Sequence, residues 1–302
     1  MIGNKRGVRS PGRMPESVKA WLLLAPTLTF LLVFTVYPIL RSGYLSLHAY
    51  ELGMSKPEFI GMENYIRFAT SELFWKVMRN TLYFSFLTVV PAFFIGLGLA
   101  LLVNTKRAKG IGFYRTSFFY PVMMPMIAIA SIWMFMYMQE SGMVDQLVLR
   151  LGGKPLGVLS DKKTVLPSLA LMYVWREAGY LMIFFLSGLQ TLDKELYEAA
   201  LIDGSSPVHT FRKITLPLLA PTTLFVTITA LTDSLKLVDH IVIMTEGAPN
   251  NASTLLLYYI YQQGFIFFDQ AKASTLTVFM LLIMLVVSMS QFLNSDKKIY
   301  YN

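Results

Sequence analysis

The sequence predicts an all-α, polytopic membrane protein with six membrane-spanning helices. Three observations carry this reading. Of the 302 residues, 55% are hydrophobic and the mean hydropathy is +0.53, well above the values of water-soluble domains. The apolar residues gather into runs of about 20, the length a helix needs to cross ~30 Å of hydrocarbon. The connections between them do not exceed about 40 residues, too short for a soluble output domain.

Residues 1–19 read as a tail. Lys5, Arg6, Arg9, Arg13 and Lys19 stand before the first apolar run, and Gly3, Gly7, Ser10, Pro11, Gly12 and Pro15 argue against a helix there. The first run, 21–40, is too long for a signal peptide and no small-x-small cleavage site follows it, so it is expected to remain as a span. Clean runs at 81–103, 118–137, 165–189 and 273–292 are read as further spans. Pro121 and Pro125 within the third are read as packing kinks in preference to a gating hinge, since neighbouring helices re-satisfy carbonyls freed by proline. The run that begins at 218 is apolar only as far as Leu231. It is extended to 244 because its charges are placed facing a cavity rather than lipid, the alternative being a helix that ends near Leu231 with those charges in an extracytoplasmic loop. Residues 293–302 form a second tail, and six spans put both termini on one side.

Basic residues decide which side, because segments on the cytoplasmic face carry the excess of Lys and Arg. Residues 1–19, 104–116, 190–217 and 293–302 hold 14 of them in 70 positions, against 11 in the 107 positions of 41–80, 138–164 and 233–272. The first set is therefore expected to be cytoplasmic, with Lys106, Arg107, Lys109 and Arg115 in a loop free of acid giving the clearest signal. The net charge of +8 is thus explained by topology, and without an aromatic-rich basic face it does not point to nucleic acid.

Catalytic chemistry finds no support. There is no cysteine, which excludes disulfides, thiolate metal sites and thiol catalysis. His48, His209 and His240 fall in separate segments, none with a metal-ligand partner at helical spacing. No phosphate-cradling GxxxxGK[ST] motif occurs, so any ATP must be hydrolysed by another chain. Gly96-x-Gly98 lies inside an apolar helix and is read as a close-packing site between membrane helices. The expected catalytic residues, cofactors and metals are therefore none.

Two polar constellations remain. Segment 191–217 reads as a polar helix-turn-helix on the membrane face. Leu196, Ala199 and Ala200 recur at helical spacing and let another protein's surface come close, Gly204 suits the left-handed residue that ends a helix, and Ser206-Pro207 reads as an N-cap followed by a first-turn proline. The second lies within the membrane. On the fourth span Trp175, Arg176, Glu177 and Tyr180 form a polar patch some ten residues from either end. On the fifth, Thr222, Thr229, Asp233, Lys236 and His240 share an arc at 100° per residue, with Leu224, Leu231, Leu235 and Val238 opposite. Unpaired charge at that depth costs at least about 2.5 kcal/mol in lipid, so these groups must face protein or water. Arg176 and Glu177, projecting about 100° apart, are expected to pair with other helices rather than with each other.

Glu198-Ala199-Ala200, then Gly204 and Ile214-Thr215-Leu216-Pro217, resemble the "EAA" loop of permease subunits in binding-protein-dependent ABC importers. Other passages resemble the carbohydrate-uptake class of the same family and extend the likeness over 21–292: Leu24-Ala25-Pro26, Tyr37-Pro38, Phe59 to Tyr65, Phe74-Trp75, Asn80-Thr81-Leu82, Tyr114-Arg115-Thr116, Trp133, and Gly247-Ala248-Pro249 followed by Leu255 to Tyr259. One departure is Ala248, where the family often has a second glycine before the proline.

The resemblance implies a six-helix permease that carries a sugar, oligosaccharide, polyol or glycerol phosphate. It further implies a second homologous permease, two ATP-binding subunits, and an extracytoplasmic solute-binding protein docking on 41–80, 138–164 and 245–272. Glu198, Ala199, Ala200, Gly204, Ile214, Leu216 and Pro217 would couple the chain to the ATPase. From their place in the two polar patches rather than from the resemblance, Trp175 and Tyr180 are expected to offer aromatic faces to the solute, with Asp233 and Lys236 supplying hydrogen bonds within or at the outer mouth of the cavity. Two other readings differ in what they require. An ion-coupled secondary transporter is expected to repeat its halves, and no repeat is evident. A membrane sensor or scaffold needs a soluble output domain.

Overall fold

The computed structural model describes residues 16–105 and 110–295. Most of both expected tails and the basic stretch 106–109 lie outside the described residues. Helices Ser17–Ser46, Glu72–Val103, Val165–Thr191 and Gln270–Gln291 are each long and apolar enough to cross a bilayer unbroken. Two bent pairs complete the set: Ile111–Met123 with Met126–Met136, at 95°, and Pro207–Leu218 with Ala220–Met244, at 69°. In chain order these are spans 1 to 6, of which 3 and 5 are the broken ones. The β-structure among the described residues is one antiparallel pairing, His48–Ala49 with Glu58–Phe59.

Span 3 departs from the straight helix that hydropathy suggests over 118–137. Its helix begins at Ile111, tightens into a 3-10 turn at Tyr120–Met123 and stops. Pro125 is the cause. It has no N–H to continue the ladder, and its ring drives Met124 into extended backbone at φ −84° and ψ 141°. Pro121 and Pro125 therefore bound a near right-angled break rather than a packing kink. Span 5 also starts earlier than its apolar run, turns at Leu219 and interrupts its helix at Lys236–Val238 before resuming at Asp239–Met244.

Span 4 is the most buried helix and the centre of the bundle. It packs most extensively on span 2, where Leu181, Met182 and Phe185 meet Val89, Ala92 and Leu97. Small residues set these distances. A Cβ on Gly96 would lie 3.0 Å from Cβ of Leu181, a Cβ on Gly179 would collide with the Phe118 carbonyl of span 3, and one on Gly188 would collide with Thr222 of span 5. In the expected Gly96-x-Gly98 pair only Gly96 serves this purpose, because Gly98 faces open space. Span 5 presents Val226, Ala230 and Ser234 to the interior, and the Ser234 hydroxyl donates to Ser85 of span 2 at 3.0 Å.

The ends opposite the Lys194–Leu218 helices are stapled by amide side chains. Asn64 Nδ2 donates to the carbonyls of Ser46 and His48 at 3.1 and 2.9 Å, and the Tyr65 hydroxyl donates to Ser46 Oγ at 2.7 Å. Asn80 Nδ2 donates to Asn251 and Thr254 carbonyls at 2.9 and 3.1 Å, while Thr81 Oγ1 accepts from Leu256 N–H at 2.9 Å. The motifs Phe59 to Tyr65 and Asn80-Thr81 are thus built as fasteners for loops.

Candidate functional site: a loop on one face and a charged cavity within

The helix-turn-helix opens at Asp193, whose carboxylate accepts the Glu195 N–H at 3.0 Å and caps helix Lys194–Ile202. That helix closes with two crossed bonds, Ser205 N–H to the Ala200 carbonyl at 2.9 Å and Gly204 N–H to the Leu201 carbonyl at 3.1 Å. The geometry requires Gly204 at φ +71°. Ser206 Oγ then accepts the His209 N–H at 3.3 Å and Pro207 takes the first helical position. Ile214, Leu216 and Pro217 fall inside the second helix rather than in a linker, and the Tyr197 and Thr215 hydroxyls, 3.1 Å apart, tie the two helices together.

A groove of about 740 Å³ runs between them, lined by Leu196, Ala199, Ala200, Gly204, His209 and Ile214. Leu201 and Ile202, at 77% and 87% exposed, stand beside it. Ala200 is buried against its own chain, so of the small pair only Ala199 remains open to a partner, with Glu198 exposed beside it.

The second constellation surrounds a cavity of about 410 Å³ where spans 3, 4 and 5 meet. Arg176, Glu177 and Tyr180 enter from span 4, Asp233 and Lys236 from span 5. Two helix interruptions meet here: Val122 and Met126 line the wall on either side of the span 3 break, and Lys236, Leu237 and Asp239 line it through the Lys236–Val238 interruption of span 5, whereas the 69° bend of span 5 at Leu219 lies away from the cavity. Arg176 Nη1 lies 3.6 Å from Glu177 Oε2, so the two adjacent residues pair with each other, contrary to the expectation that they reach other helices. Long side chains bend far enough to close the 100° between their stems. The pairing is incomplete, since Arg176 Nε and Glu177 Oε1 are buried without partners.

Three expected members are elsewhere. Trp175, 47% exposed, points out of the cavity and packs on Trp133, with ring centroids 5.8 Å apart. His240 is fully buried and stacks on Phe84, ring centroids 5.5 Å apart, because the interruption at Lys236–Val238 takes it off the arc of an unbroken helix. Thr229 lies one turn before Asp233 on the same helix and does not line the cavity. Tyr173 and Asp239 are the members sequence reasoning missed. Tyr173 had a signal, standing one turn before Glu177. Asp239 had none without knowledge of the helix break.

Residues 81–299 match the family of binding-protein-dependent transport system inner membrane components. The chain belongs to that family. As an inner membrane permease it is 35% identical over 94% of its length to the lactose transport system permease protein LacF of Rhizobium radiobacter, covering 96% of that protein. It is 33% identical over 82% of its length to the trehalose/maltose transport system permease protein MalF of Thermococcus litoralis, covering 85% of it. A crystal structure of a bacterial ABC transporter that imports the acidic polysaccharide alginate shares the permease's fold, with a TM-score of 0.81, 24% identity, and 93% and 96% of the two chains covered. The permease is accordingly a transport subunit of an ABC importer and a multi-pass protein of the inner membrane.

Proposed function

We propose that this permease carries a carbohydrate or carbohydrate-like solute through the cavity of spans 3, 4 and 5, in a complex with a second homologous permease, two ATP-binding subunits that perform all hydrolysis, and an extracytoplasmic solute-binding protein. Both termini and the Lys194–Leu218 helices lie on the cytoplasmic face in this reading. The observation that carries it is the half-satisfied Arg176–Glu177 pair. A buried guanidinium N–H and carboxylate oxygen without partners call for a ligand that both donates and accepts hydrogen bonds. Sugar hydroxyls and water do both. Relatives named for lactose and for trehalose/maltose support the same solute class.

In this reading the groove at Gly204 seats a part of the ATP-binding subunit, and the exposed Leu201 and Ile202 flank the contact. ATP-driven closure of those subunits moves the helix pair, and the break of span 3 before Pro125 and the Lys236–Val238 interruption of span 5 give the cavity wall two places to bend without disrupting a helix. The test is uptake by the complete importer with Tyr180→Ala, Asp233→Ala and Glu177→Gln variants. Each is expected to lower uptake while the ATP-binding subunits still copurify. Wild-type uptake by all three places the route elsewhere.

A further inference from the structure

A second cavity, of about 610 Å³, lies on the membrane face that carries the Lys194–Leu218 helices, away from the charged cavity. It forms where the ends of spans 2 and 4, the start of span 3 and the first of those two helices converge. Its polar wall includes Arg115, Lys194, Asn104, Thr105, Gln190 and Tyr197, with Thr215 from the second helix. No Asp or Glu lines it among the described residues, and four leucine or isoleucine side chains complete the wall. Arg115 is fixed there by donating from Nη2 to the Val103 carbonyl at 3.0 Å, which caps the end of span 2. Its Nε is buried and unpartnered. From Thr105 the chain continues into Lys106-Arg107-Ala108-Lys109, adding three cations and no acid to this part of the sequence.

A guanidinium edge, an ammonium and two carboxamides around one space, with no carboxylate to neutralise them, make a receptor for an anion with several acceptor oxygens. Its place at helix ends next to apolar walls is where lipid headgroups meet acyl chains, and basic pockets between membrane helices recognise such headgroups. We propose that this cavity binds a phosphate group, held by Arg115 and Lys194. Because Lys194 and Tyr197 belong to the helix that ends at the Gly204 turn, occupancy of the cavity braces that helix against the ends of spans 2 and 4.

The experiment is native mass spectrometry of the purified, delipidated permease with its copurifying subunits, titrated with phosphatidylglycerol, phosphatidylcholine or inorganic phosphate. Wild-type protein is expected to bind phosphatidylglycerol in preference to phosphatidylcholine, and Arg115→Gln and Lys194→Gln are each expected to weaken that binding about fivefold. Displacement of the lipid by millimolar inorganic phosphate assigns the site to free phosphate, and lack of displacement assigns it to the headgroup. Lys194 is exposed and outside the bundle core, so its variant reports even where loss of the Arg115 cap hinders folding. Equal phosphatidylglycerol affinity in wild type and Lys194→Gln, or no phosphate-bearing ligand on the wild type, overturns the proposal.

Discussion

Arg176 and Glu177 show why charge inside a membrane bundle is informative. Glu177 is nearly inaccessible, its partner is 3.6 Å away, and removing Arg176 leaves the carboxylate buried without its counter-charge. Arg176→Met is therefore expected to destabilise the purified permease by about 3 kcal/mol, and Arg176→Met with Glu177→Gln by less than the sum of the single changes. Thermal melting of the four proteins checks this, and additivity within error would show that the pair does not interact. Outside the membrane Asp145 presents the opposite case. Its carboxylate accepts N–H groups of Glu140 at 3.0 Å and Leu156 at 2.9 Å, and these bonds hold its pKa below the ordinary carboxylate range. A pKa depressed by folding gives stability that is present above the unfolded value and lost as the folded group takes its proton. Hydrogen exchange at Glu140 and Leu156 is therefore expected to stay protected at neutral pH and to open only as pH falls through the depressed value, below the ordinary carboxylate range. In Asp145→Ala the same amides should be open at every pH.

Among the elements, the turn at Gly204 and the crossings of span 4 separate two reasons for having glycine. Gly204 faces open space, so a substitution there meets no neighbour and its cost is the left-handed φ alone, of order 1 to 3 kcal/mol for a β-branched residue. Gly204→Val is expected to insert normally and lose uptake together with binding-protein-stimulated ATPase activity, whereas Gly204→Asn, which visits that region readily, should keep both. Uptake by the valine variant at normal expression counts against coupling through this turn. Gly179 has the other reason, because its backbone touches the Phe118 carbonyl. Gly179→Ala should lower the melting temperature, while Gly98→Ala, in open space, should leave it unchanged or raise it slightly. The turn of the helix-turn-helix was legible in the sequence, because caps are local: Gly204, Ser206 and Pro207 act on neighbours within five positions, whereas the Asp193 cap emerged only from the structure. The sequence did not show the breaks in spans 3 and 5. Met124, Pro125, Leu237 and Val238 are apolar enough to pass as helix, and hydropathy records composition rather than hydrogen-bond continuity. His240 was misplaced for that reason, since a single arc at 100° per residue holds only while the helix is unbroken.

At the scale of the whole molecule, the interior divides into three apolar clusters, and the charged cavity opens where spans 3, 4 and 5 meet rather than through any one of them. The route proposed above requires that this cavity face each side in turn, and the interrupted helices of spans 3 and 5 are the walls proposed to move. The natural absence of cysteine makes the route open to direct mapping. Single cysteines at 180, 233 and 236 are expected to react with a water-soluble thiol reagent in membranes, to react at a rate that changes when ATP hydrolysis is blocked, and to be protected by transported solute. A cysteine at 240, buried against Phe84, should stay unreactive in both states, and one at 175, beside Trp133 and outside the cavity, should gain no protection from solute. Protection at 175 with none at 233 would move the route to the outer side of span 4. Reactivity at 240 that rises when hydrolysis is blocked would show that the hinge at Lys236–Val238 opens to expose the histidine, making it part of the path in one half of the cycle.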